Sequence, residues 1–113
     1  MSKEDPEAAL RFYKLAADAK YAPAIFNYAK AVESLNSDES IKLLRRITYG
    51  VDFIPQAAYE LGRIYEEIIN DLPNAVIHYR IALEAGVEEA AMSLQRCQDT
   101  MFREKGTRKT KQQ

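Results

Sequence analysis

The chain has 113 residues, 47% of them hydrophobic and 29% charged, with a formal net charge of -1. That length suits one domain with a modest core. Only four glycines and four prolines favour helix over sandwich or barrel, and a lone cysteine, Cys97, excludes an internal disulfide or a cysteine-based zinc cage.

The opening Met1-Ser2-Lys3-Glu4-Asp5-Pro6 is acidic and helix-starting rather than basic and then apolar, so neither a signal peptide nor a transit peptide is expected. No apolar run approaches the roughly 20 residues that cross a bilayer. A soluble protein of a reducing, cytoplasmic setting is the expectation.

Start and stop signals at Asp5-Pro6, Asn36-Ser37-Asp38, Gly50 to Pro55, Asn70-Asp71 and Gly86 divide the body into six predicted helices. They run over 6–19, 23–35, 38–49, 55–69, 72–85 and 88–103. Asp5 precedes Pro6 as an N-cap, Asn36 with Glu39 forms a capping box, Asp71 caps the fifth helix before Pro73, and Gly86 ends it. Short connections make neighbours antiparallel hairpins. Beyond Phe102 aliphatic residues stop and basic ones accumulate, five against one acid over 103–113, which leaves 11 basic and 16 acidic residues in the rest. The division expected is a helical domain over 1–103 and a basic, flexible C-terminal tail over 104–113.

The body repeats itself. Ala57-Ala58-Tyr59-Glu60-Leu61 aligns with Ala90-Ala91-Met92-Ser93-Leu94 at an offset of 33, and a further step back reaches Ala24-Ile25-Phe26-Asn27-Tyr28. In the odd-numbered helices Ala9, Tyr13, Ala16 and Ala19 fall on Ala75, Tyr79, Ala82 and Ala85 at an offset of 66, with a divergent middle copy. Apolar stripes of Ala24, Tyr28, Ala31, Val32 and Leu35, and of Ala57, Leu61, Ile64, Tyr65 and Ile68, each require a neighbouring helix.

Tyr13-x-x-Ala16-Ala17, Ala22-Pro23-Ala24-x-x-x-Tyr28-Ala29, Ala57-x-x-x-Leu61-Gly62-x-x-Tyr65 and Ala75-x-x-x-Tyr79-x-x-Ala82-Leu83-x-x-Gly86 together resemble Sel-one-like repeats, relatives of tetratricopeptide repeats, over about residues 5 to 100. A departure lies after Tyr65, where Glu66-Glu67-Ile68-Ile69-Asn70-Asp71 replaces the family's glycine-rich turn. The resemblance implies an all-α fold of three helical hairpins stacked as a short right-handed α-solenoid, and a scaffold or adaptor rather than an enzyme.

Chemistry-bearing residues are sparse. His78 is the single histidine and has no nucleophile or acid at triad or metal spacing. Cys97 occupies the apolar position matched by Ala31 and Ile64 and reads as buried packing. Four of the seven tyrosines, Tyr13, Tyr28, Tyr65 and Tyr79, sit at repeat positions that fill a core, which leaves Tyr21, Tyr49 and Tyr59. No catalytic residue, metal ligand or cofactor is assigned.

One surface pattern points to a partner. Lys30, Arg63 and Arg96 recur at the 33-residue period, Glu33, Glu66 and Asp99 come three residues later, and Asn27, Glu60 and Ser93 form a polar row one turn earlier. The resemblance implies that these helices line a concave face, where the ladders would bind a peptide, a helix or a larger protein assembly. Exposed i,i+3 ion pairs that only keep the surface soluble explain the same pattern. The alternative partner is RNA, with the protein an accessory subunit of a ribonucleoprotein held through Arg103, Lys105, Arg108, Lys109 and Lys111. Uncapped ends of so short a stack also invite self-association.

Overall fold

The computed structural model describes residues 10–11, 14–15 and 21–111, with side chains as far as 106. Five α-helices appear among them and no strand: α1 (Ala22–Val32), α2 (Ser37–Thr48), α3 (Pro55–Ile64), α4 (Leu72–Glu84) and α5 (Ala90–Lys111), with a π-helical turn at Tyr65–Ile69 between α3 and α4. The chain divides into two compact units, Met1–Ala57 and Ala58–Gln113. Residues 10–11 and 14–15 are helical, while the rest of the first predicted helix, with Asp5, Pro6, Tyr13 and the alanines at 9, 16, 17 and 19, lies outside the described residues.

In the first unit α1 packs on α2. Tyr21 is extended and Pro23 sits in the first turn of α1, where its missing N–H costs nothing. Asn36 then caps α2, its side-chain oxygen accepting from the Glu39 N–H at 3.1 Å as the capping box predicts. Ala22, Ala24, Ile25, Ala29 and Val32 are buried from α1, and Ser40, Leu44, Ile47 and Thr48 from α2. The two polar members are satisfied: Ser40 Oγ donates to the Ala29 carbonyl at 2.7 Å, which ties the helices together, and Thr48 Oγ1 donates to the Leu44 carbonyl at 2.8 Å. Leu35, expected in the apolar stripe, is exposed instead. α1 ends at Val32, and the N–H groups of Leu35 and Asn36 both bond the Val32 carbonyl, so Leu35 lies in the closing turn beyond the helix.

The second unit is built around Tyr79, Ala58, Ala75, Ala82, Val87, Ala90 and Cys97, all buried, with α4 packed on α5 and the π turn on α4. Asp71 caps α4 by accepting from the Asn74 N–H at 3.1 Å and from its side-chain amide at 2.7 Å. At the other end Gly86, with φ of 102°, adopts the left-handed turn. There the Gly86 N–H bonds the Leu83 carbonyl and the Val87 N–H the Ala82 carbonyl, while Val87 is itself buried. That double bond pattern with an apolar residue behind it is the Schellman ending that glycine favours.

Two expectations about this unit change. The fourth predicted helix, 55–69, is α-helical only to Ile64; the π turn beyond it closes on Asn70, whose φ is 64°, with the Asp71 N–H reaching back to the Tyr65 carbonyl at 2.8 Å. An extra residue in the turn rotates the downstream positions about the helix axis, so Ile68 and Ile69 are exposed rather than continuing the stripe of Ala57, Leu61 and Ile64. The sixth helix does not stop at 103. It continues to Lys111, so 104–111 are helical where a flexible tail is expected; apart from Gly106 and the two threonines these residues are strong helix formers.

Candidate functional site

The π turn carries Glu66 off the line of α3 and toward α5. Its carboxylate accepts three bonds: Arg96 Nε to Oε2 at 2.7 Å, Arg96 Nη2 to Oε1 at 2.7 Å, and the Tyr79 hydroxyl to Oε1 at 2.8 Å. Thirty residues separate Glu66 from Arg96, so this fork joins two distant segments of the chain. Ser93 acts on the same phenol and Cys97 on the carboxylate, both from α5 and both buried.

Charge and burial act on these groups in opposite directions. The Arg96 guanidinium holds the Glu66 carboxyl below its usual range; desolvation opposes it, and the Tyr79 hydroxyl adds to the lowering. Burial pushes the Tyr79 phenol up, with the Glu66 carboxylate adding to it. Burial likewise raises the Cys97 thiol to about 11. No member of the cluster is poised to exchange a proton near neutrality, which suits a structural clamp rather than acid–base work.

Arg63, one turn earlier, is held within its own helical run: Nη2 and Nε bond Glu60 Oε2 at 2.8 and 2.9 Å, and Nη1 meets Glu67 Oε2 at 3.5 Å. The ladder thus differs from a row of i,i+3 pairs between Arg63 and Glu66 or Arg96 and Asp99. Glu66 is turned to the next helix by the π insertion, Glu67 takes the place beside Arg63, and Asp99 accepts from Gln95 Nε2 at 2.9 Å. Three expected partner-binding residues are less accessible than the sequence suggests. Ser93 is buried, and the side chains of Glu60 and Glu66 retain 13% and 15% exposure, while Arg96 keeps 53%.

In the first unit Asn27 and Lys30 stand exposed on α1, with Lys30 Nζ 5.6 Å from the Phe26 ring centroid, and Glu33 is half-buried at the helix end. From the basic segment, Arg103 Nη2 donates to Thr100 Oγ1 at 3.4 Å. Lys105 lines an open groove of about 570 Å³ with Asn70, Leu72, Pro73, Met101 and Glu104. Arg108 and Lys109 lie on α5 and Lys111 at its end, their side chains outside the described residues.

The remaining sequence candidates are structural. His78 is buried; its Nδ1–H donates to the Asn74 carbonyl at 2.8 Å and its ring stacks on Tyr65 with centroids 5.3 Å apart. Cys97 is fully buried, as its repeat position suggests. Tyr59, left over from the repeat pattern, packs against Tyr79 at 5.6 Å. Among the described residues no group of three His, Cys, Asp or Glu is arranged to hold a metal ion, and no helix is long and apolar enough to cross a membrane. The part of Tyr79 in holding Glu66 is missing from the sequence pattern; the only signal for it is the acidic pair Glu66-Glu67 directly after Tyr65. No family model and no curated protein matches the chain.

Proposed function

We propose that this chain is a non-enzymatic protein-interaction module: helical hairpins of the Sel-one-like, tetratricopeptide-like kind stacked as a short right-handed solenoid, acting as an adaptor or small subunit inside the cell. The observation that carries this reading is the Glu66–Arg96 fork, which ties the π turn after α3 to α5 and orders a half-exposed guanidinium. An arginine already ordered by a carboxylate loses little freedom on meeting a partner. Lys30, Arg63 and Arg96 are the cationic contacts, Glu33, Glu67 and Asp99 the anionic ones, and Asn27 a polar neighbour. The test is mass spectrometry of proteins that co-purify with the tagged chain from its native cell, repeated with Lys30→Glu and with Arg96→Gln. A specific protein recovered with the parent and lost from both variants is the expected result; equal recovery from all three places the binding surface elsewhere.

A second reading is favoured by the course of α5. Its uninterrupted run to Lys111 carries the five basic residues of 103–111 on a helix rather than a loose tail. That arrangement suits attachment to phosphate in a ribonucleoprotein. Binding of single-stranded RNA that weakens steeply with salt and disappears when the chain is cut after Arg103 would favour this reading, and salt-independent or absent binding would remove it.

A further inference from the structure

Along α5 the residues Met92, Gln95, Asp99, Phe102 and Gly106 are all exposed. Their alternating spacings of three and four place them on one stripe, while Ala90, Ser93 and Cys97 on the opposite face are buried. Met92 exposes 80% of its surface and Phe102 78%, large fractions for apolar side chains on a well-formed helix. The order is symmetric about Cys97: positions 92 and 102 are apolar, and positions 95 and 99 between them are a glutamine and an aspartate. We propose that this stripe is a self-association surface, on which a second copy of the chain lays its own α5 antiparallel, centred on position 97. The pairing goes beyond the interaction reading above and does not depend on it.

In that register Met92 of one copy meets Phe102 of the other, and Gln95 meets Asp99, each contact made twice by the two-fold axis. Gln95 Nε2 already donates to Asp99 Oδ1 within the helix at 2.9 Å, and the same donor and acceptor face each other across the pair. No two carboxylates are opposed. On one flank Glu89, immediately before the helix, comes opposite Arg103 of the second copy, a favourable pairing of charge. Arg96 falls near its own symmetry mate, and the two bonds it donates to the Glu66 carboxylate meet its charge within its own chain. A parallel arrangement loses these features, since it sets Asp99 against Asp99 in the seam and separates Glu89 from Arg103.

With two large apolar side chains from each copy, the contact falls below the roughly 1,200 Å² of a stable interface, so the dimer is weak and concentration-dependent. Sedimentation velocity of the full chain from about 10 to about 500 µM should show a mass rising from monomer toward dimer. Met92→Glu and Phe102→Glu should remain monomeric throughout, with circular dichroism showing that both fold. Glu89→Arg should weaken the dimer several-fold, and adding Arg103→Glu to the same chain should restore it. Register is tested by thiol cross-linking. Like positions at 92 lie about 15 Å apart along the antiparallel pair, so Met92→Cys alone should not link, whereas a mixture with Phe102→Cys should. A monomer at every concentration overturns the proposal. So does a dimer indifferent to Phe102→Glu, a charge swap that fails to restore association, or self-linking of Met92→Cys as fast as the mixed product.

Discussion

Gly62 lies against the ring of Tyr79: a β-carbon on Gly62 would stand 2.6 Å from Cδ1, 2.8 Å from Cε1 and 2.9 Å from Cγ. The ring is 1% exposed and its hydroxyl is tied to Glu66, so it has nowhere to retreat. Alanine at 62 gains about 1 kcal/mol of helix propensity and loses about 1 to 3 kcal/mol to overpacking. Gly62→Ala is therefore expected to lower the thermal midpoint. Tyr79→Leu in the same chain should make the alanine neutral or stabilising, and a midpoint that rises with the single change would show that the ring is free to move.

The Glu66 fork predicts an acid dependence. Its carboxyl titrates below the ordinary value because Arg96 and Tyr79 bond the ionised form. A group whose folded pKa is depressed adds stability that is present above the unfolded value and lost as pH falls through the folded one. The parent should hold its stability from neutrality down to about pH 5 and lose it below, more steeply than Glu66→Gln. At neutral pH Glu66→Gln should cost about 1 to 2 kcal/mol, less than a fully buried pair because Arg96 is half exposed. Parallel pH profiles for the two proteins would show that the fork contributes nothing.

Ala82 is fully buried where α4 meets α5. Ala82→Phe should cost about 1 to 3 kcal/mol through overpacking, while Ala91→Phe, on the exposed face of α5, should change stability by less than about 0.5 kcal/mol. Equal midpoints in chemical denaturation would contradict the core placement of Ala82.

Removing residues 104–113 should leave the thermal midpoint nearly unchanged, since Glu104, Lys105 and Gly106 are exposed. The helical circular dichroism signal should nevertheless fall, because 104–111 continue α5. An unchanged signal would mean that α5 ends near Arg103 in solution.

The features legible in the sequence are the ones decided within a few residues. Asn36 and Asp71 cap from three positions away, Gly86 meets a local need for positive φ, and the alanines at 24, 57 and 90, which share one repeat position, are all buried. Cys97 obeys the same logic, because its repeat mates at 31 and 64 are apolar. The π turn is different. Nothing local in Tyr65–Ile69 forbids an α-helix, and the turn is accompanied by a carboxylate bonded to an arginine thirty residues later and a tyrosine thirteen residues later. The ladders are visible as composition at a fixed period, but which rungs reach solvent depends on that one rotation: Glu66 turns inward while Glu67 stays out beside Arg63.

The buried thiol of Cys97 also bears on how the two units are to be told apart in solution. With its thiol raised to about 11, only on the order of one molecule in ten thousand carries thiolate at neutral pH, and the sulfur has no surface through which to react. Modification must wait for α5 to lift away from α4. Because the chain has no other cysteine, the rate at which a small alkylating reagent consumes the thiol under native conditions is a clock for the opening of the second unit.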